Sequence, residues 1–113
     1  MSERAPDVDV VLAALADPTR RRVLDVIVAR GEATATAVAS ELPVSRQAVV
    51  KHLAILDRAG LVTARRLGRE VRYAVLLEQV DAAARWMAAL ADEWDARLQR
   101  IKRLAEATGE DDA

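Results

Sequence analysis

The sequence predicts a mainly helical fold with one small β-hairpin, its elements in the order α-α-α-α-β-β-α. Three observations predict it. Apolar residues, mostly Ala, Val and Leu, recur at helical spacing along most of the 113-residue chain, and the aromatics are only two Trp and one Tyr. Between residues 61 and 75 the spacing changes to a period of two around a glycine-containing turn. Pro18, Pro43 and Gly60 stand where one helix must end or another begin. A single domain of this length buries a modest core, so association with a second copy would add burial.

Residues 1–7 read as a disordered N-terminus with no apolar signal core. In residues 8–16, Val8, Val11, Leu12 and Leu15 fall at i, i+3, i+4 and i+7, one apolar stripe on a short helix. Asp17 caps the next helix with Pro18 at its first position. That helix turns Val23, Val26 and Ile27 inward and ends at Arg30-Gly31-Glu32. Its Arg20-Arg21-Arg22 run reads as a solvated face or a salt bridge to a neighbouring acid rather than a phosphate contact. Residues 36–42 form a short helix, and Pro43-Val44 is a turn. Ser45 then caps a helix that runs to about Ala59 and stops at Gly60.

This helix has two faces. At 100° per residue, Val49, Leu53 and Leu56 share one side with His52 at its edge. Gln47, Lys51, Ala54 and Arg58 share the other, with Val50 beside them. A hydrogen-bonding and cationic face opposite a core face suits a helix lying in a DNA major groove. The hairpin follows directly, with a strand starting at Leu61-Val62, a turn at Leu67-Gly68-Arg69, and Val71, Tyr73 and Val75 alternating inward. From Ser45 to Tyr73 there are seven Lys/Arg (46, 51, 58, 65, 66, 69, 72) against Asp57 and Glu70, a net of +5. Residues 1–44 carry −2 and residues 74–113 carry −4, so the overall −1 hides a basic central block. A two-sided helix followed by a basic hairpin is the layout of a winged helix-turn-helix. Gln47, Val50 and Lys51 are the candidates for base contact, Val50 through a thymine methyl. Ser45 and Arg46 would hold phosphate at the helix N-terminus. Arg65, Arg66 and Arg69 would anchor the wing, with Arg69 nearest its tip.

Residues 77–107 read as one long helix, about 45 Å at 1.5 Å rise per residue. Met87, Ala91, Trp94, Leu98 and Ile101 form a narrow apolar stripe, joined by Val80, Ala83, Ala84, Leu90 and Ala105. That exceeds what so small a domain needs to cover itself. The expected partner is a second copy, joined through Met87, Leu90, Trp94, Leu98 and Ile101 and through Val8, Val11, Leu12 and Leu15 of the first helix. Trp86 and Trp94 read as dimer-core residues, with an apolar effector pocket between subunits as the sharper alternative. The acidic residues 108–113 read as a disordered tail.

Three segments together resemble a known family. They are LADPTRRRVLDVI (15–27), VASELPVSRQAVVKHLAILDRAGLV (38–62) and GREVRY (68–73). Within the second, S-R-x-x-V-x-K-H-L-x-x-L-x-x-A-G-L-V is a specific string. The chain is similar here to the ArsR/SmtB-type winged-helix repressors, over residues 12–75. The resemblance implies a homodimeric transcriptional repressor. Metal-sensing members carry a cysteine pair at positions that match Thr34 and Thr36, or a His and carboxylate site on the C-terminal helix, which here has no His. Threonine is a poor ligand for soft metals. Trp86, Trp94 and ARLQRIKRLAE (96–106) instead resemble the metal-free subgroup, which implies an autorepressor of a small operon.

Composition excludes much else. With no cysteine there is neither a disulfide nor a thiolate metal site. No apolar run approaches the roughly 20 residues of a membrane span, so the expected location is cytoplasmic. No phosphate-binding or dinucleotide fingerprint is present. Ser45 and His52 stand two turns apart, roughly 10 Å along the axis, too far for a nucleophile and its base. The expectation is therefore no enzyme, no cofactor and no metal, with double-stranded DNA and a second copy of the chain as partners and a small-molecule effector as a further candidate. Two other readings remain: a ligand-gated sensor of the same fold, and a winged-helix module for protein–protein contact.

Overall fold

The computed structural model describes residues 7–111. Its elements are α1 (Val8–Leu15), α2 (Pro18–Arg30), β1 (Ala33–Thr34), α3 (Ala35–Glu41), α4 (Arg46–Arg58), β2 (Val62–Leu67), β3 (Glu70–Val75) and α5 (Leu77–Asp111). The chain divides into two compact units, one ending at Ala83 and one starting at Ala84.

In the first unit the expected caps are in place. Asp17 accepts from the Thr19 and Arg20 amides at 2.8 and 3.1 Å. Ser45 Oγ accepts from the Ala48 amide at 3.1 Å. Both satisfy amides that a helix start leaves without partners. At the end of α4, Gly60 has φ +74°. Its amide donates to Asp57 O at 3.0 Å and that of Leu61 to Leu56 O at 2.9 Å. This Schellman closure needs a left-handed residue, which a side chain would strain. In the hairpin, Leu67 pairs with Glu70, which leaves a two-residue loop. Gly68 takes φ +62° and Arg69 does not share a positive φ, the pattern of a type II′ turn.

One cluster forms the core of this unit. Val49, Leu53 and Leu56 of α4 are fully enclosed together with Val11, Val23, Ile27, Val38, Leu61 and Val62. Tyr73, Val75 and Val80 pack against it half-buried. Leu24 joins the buried set on α2, while Val26 is only half-buried.

Four findings differ from the sequence reading. The sheet has three strands, in the order β1-β3-β2, because Ala33 and Thr34 pair antiparallel with Tyr73 and Arg72. On α1, the fully buried residues are Val11 and Ala14, while Val8, Leu12 and Leu15 are half-buried. Val11 thus belongs to the chain's own core rather than to a surface another copy could reach. Arg20 does pair with an acid, Asp17 at 3.8 Å, and Arg21 is exposed, as expected, but both also bond backbone carbonyls. Arg20 donates to Ala14 O at 2.7 Å and Ala13 O at 3.1 Å, and Arg21 to Leu15 O at 2.7 Å. They satisfy the free carbonyls at the end of α1. Finally, Asp7 lies inside the stretch read as disordered, yet its side chain accepts from the Val10 amide at 3.3 Å and caps α1.

In the second unit, α5 continues through residues 108–111, where a disordered tail is expected. Thr108 Oγ1 donates to Leu104 O at 2.9 Å. Trp86, Met87, Trp94, Leu98, Ile101 and Leu104 are all exposed, and Leu90 is half-buried. The remainder of both expected disordered ends, residues 1–6 and 112–113, lies outside the described residues.

The Asp17 cap makes stability depend on acid. The Arg20 amide hydrogen bond, chiefly, holds its carboxyl below the usual aspartate range. A carboxylate lowered on folding adds stability that is complete above its unfolded value, about pH 4, and lost as pH falls through the lower folded value. Asp17→Asn keeps an N-cap without that titration. Thermal melts between about pH 5 and pH 2.5 should therefore fall less steeply for Asp17→Asn. Parallel curves for the two proteins would remove Asp17 from the acid limb.

Candidate nucleic-acid interface

Two surfaces of the first unit carry the expected DNA-contacting residues. On α4, Gln47, Val50, Lys51, Ala54 and Arg58 are exposed, while Val49, Leu53 and Leu56 are buried. The helix phasing read from the sequence is the observed one. Val50 is 40% exposed, enough to present its methyls outward. His52 is half-buried at the edge between the faces, and its Nδ1 is enclosed without a hydrogen-bond partner among the described residues.

The N-terminus of α4, where Ser45 and Arg46 are expected to hold phosphate, has features that favour an anion. Its first amides are not all satisfied within the helix, and the helix dipole favours negative charge there. Ser45 uses an Oγ lone pair to cap Ala48, which leaves the hydroxyl proton able to donate. Arg46 donates from Nε to Thr36 Oγ1 at 3.1 Å. That bond ties the arginine stem to α3 and leaves its two terminal nitrogens without a hydrogen bond among the described residues. Thr34 accepts from the Ala37 amide at 3.1 Å and caps α3. The two positions where metal-sensing relatives would carry cysteine therefore hold hydroxyls engaged in local structure. Among the described residues no three His, Asp or Glu side chains are grouped to hold a metal ion.

The wing separates its arginines into two kinds. In a strand, neighbouring side chains take opposite faces. Arg65 lies opposite Arg72, and Arg66 opposite Val71. Arg65 Nη2 donates to both oxygens of Glu32, at 2.8 and 3.0 Å. Arg72 reaches the same carboxylate at 3.5 Å and Glu70 at 3.2 Å. Glu32 is held below the usual glutamate range, first by the hydrogen bond from Arg65. Arg66 and Arg69 are exposed and form no ion pair among the described residues. The sequence offers Arg65, Arg66 and Arg69 as wing anchors, with Arg69 nearest the tip. The structure gives two unengaged cations and one already held by Glu32. The acid lies 33 positions away along the chain, so no local pattern signals it.

Comparison with known proteins agrees with this geometry. A helix-turn-helix domain family matches residues 15–65. The HTH-type transcriptional regulator YuzN of Bacillus subtilis is 40% identical over 75 residues, covering 61% of this chain and 78% of that protein. The transcriptional repressor SdpR of the same organism is 31% identical over 77 residues, covering 68% and 84%. An ArsR-like transcriptional regulator from Rhodococcus sp. RHA1 superposes with a TM-score of 0.75 at 41% identity, covering 87% of this chain and 92% of that one.

Fold and site together define a winged helix-turn-helix DNA-binding regulator. The chain belongs to the ArsR-like family of transcriptional regulators, and its role is that of a DNA-binding repressor. No described helix is long and apolar enough to cross a membrane.

Proposed function

We propose that this protein represses transcription in the cytoplasm as a homodimer on an inverted-repeat operator, including one at its own promoter. The observation that carries the reading is the exposed Gln47–Val50–Lys51 face of α4, together with the exposed Arg66 and Arg69 of the wing, which form no ion pair among the described residues. Two copies related by a two-fold axis read half-sites about one DNA turn, or a multiple of it, apart. The exposed apolar stripe of α5 supports the homodimer, since a soluble helix with one unpartnered apolar face gains burial by pairing with its copy. Trp86 and Trp94 are assigned to that contact. Quenching of their fluorescence by hydrophobic compounds would add an apolar effector to the scheme.

The test is fluorescence anisotropy with DNA from upstream of the gene, a scrambled duplex as control, two salt concentrations, and chelator present or absent. Selective, chelator-indifferent binding is expected. Equal weak binding to both duplexes would remove that promoter as the target.

Two variants separate the surfaces. Gln47→Ala should reduce discrimination at one base pair of each half-site by about 1–3 kcal/mol. Unchanged sequence preference would mean that Gln47 does not face the bases. Arg69→Ala should weaken binding to all sequences alike and lower the salt slope by about 0.9 per protomer, one phosphate contact. A loss confined to the specific duplex would contradict a backbone role.

A further inference from the structure

Glu32 sits between the end of α2 and the start of β1, with its side chain 29% exposed. Both its oxygens accept from Arg65. Arg65 and Arg72 face each other across the hairpin, so two like charges would otherwise repel. Arg72 has a second acid in Glu70. Arg65 has only Glu32 among the described residues. A carboxylate and a phosphate accept an arginine fork in the same way. Glu32 therefore engages Nη2 of Arg65 and offsets its charge, as a DNA phosphate would.

We infer that Glu32 is a built-in competitor for DNA phosphate, which withholds Arg65 and sets the number of backbone contacts the wing makes. The inference rests on the DNA-binding reading and adds a residue that limits it. Neutralising Glu32 leaves Arg72 on Glu70 and releases one cation per protomer. The lowered pKa of Glu32 agrees with a carboxylate that stays charged on its arginine under ordinary conditions.

The test compares the full-length chain with Glu32→Gln, Arg65→Ala and the double variant, each titrated with operator duplex over a salt series. Glu32→Gln should steepen the log–log salt slope by about 0.9 per protomer, one added phosphate contact, and tighten binding several-fold at low salt. The gain should vanish in the double variant. Arg65→Ala alone should leave the slope of the unmodified protein nearly unchanged, in contrast to Arg69→Ala. This arm holds even if Glu32→Gln does not fold, which circular dichroism would reveal. Three results would overturn the inference: no change of slope in folded Glu32→Gln, a gain that persists without Arg65, or a drop in slope for Arg65→Ala equal to that for Arg69→Ala. In each of these the unmodified protein still binds DNA. Absence of any salt-dependent duplex binding by the unmodified protein would overturn the DNA reading itself, and this inference with it.

Discussion

Leu53→Ala is expected to lower the unfolding free energy by about 2–5 kcal/mol, the cost of truncating an enclosed leucine and leaving a cavity. Leu53 is fully buried, on the face of α4 opposite the exposed Gln47 and Lys51, which we propose contact DNA. It belongs to one cluster with side chains of α1, α2, α3 and the start of β2, so a cavity there cannot close without moving several elements. At about 4–8 °C per kcal/mol for a small domain, the melting temperature should fall by about 8 °C or more. Protein concentration must be held equal between the two samples, because association also raises apparent stability. The effect on DNA binding should be of one kind only. The folded fraction falls, but Gln47, Val50 and Lys51 keep their placement, so the ratio of specific to scrambled affinity should hold. Val50→Ala is the counterpart on the exposed face. It should change stability by less than about 0.5 kcal/mol, and the affinity for thymine-containing half-sites more. If Leu53→Ala melts like the unmodified protein, the burial assigned to this face of α4 is wrong.

These two positions show which parts of the chain were legible in sequence. The phasing of α4 follows from the 100° step alone, because Val49, Leu53 and Leu56 alternate with Gln47, Lys51 and Arg58 over three turns. Caps were equally readable, since Asp17, Ser45 and Gly60 act on amides and carbonyls within a few residues of themselves. What was not legible depends on distant partners. β1 is two residues long and has no periodicity of its own. It exists because Ala33 and Thr34 pair with Tyr73 and Arg72. The ion pairs of Glu32 join residues 33 and 40 positions apart, and they decide which wing arginines are engaged. Val11 shared a stripe with Val8, Leu12 and Leu15, and spacing could not say which side of that stripe meets the chain's own core. The end of α5 differs from the expected tail for another reason. Acidic composition after Ala107 suggested disorder, but no proline interrupts the helix, and Thr108 returns its hydroxyl to the Leu104 carbonyl.

Leu98→Glu tests the remaining surface. Leu98 is 63% exposed in the single chain, with Trp94 at 57% and Ile101 at 61%. The three recur at helical spacing on one side of α5. In a monomer a glutamate at so exposed a site changes little, within about 0.5 kcal/mol. In a two-fold seam the same change acts twice, since each copy presents the same patch to the other. It places two like charges where apolar side chains would meet, and a charge taken out of water without a partner is strongly unfavourable. Light scattering should show the mass falling from dimer to monomer. Operator binding should weaken by about 10²–10⁴, because the second half-site no longer benefits from the effective concentration that linkage supplies. Binding to a single half-site should stay nearly the same, which separates loss of association from damage to α4 or the wing. Ala96→Glu is the control. It lies about 160° round the helix from Leu98, is exposed, and should leave both mass and operator affinity intact. A Leu98→Glu protein that keeps the dimer mass would show that the copies associate through another surface. A monomeric Leu98→Glu protein with full operator affinity would show that repression does not need two linked copies.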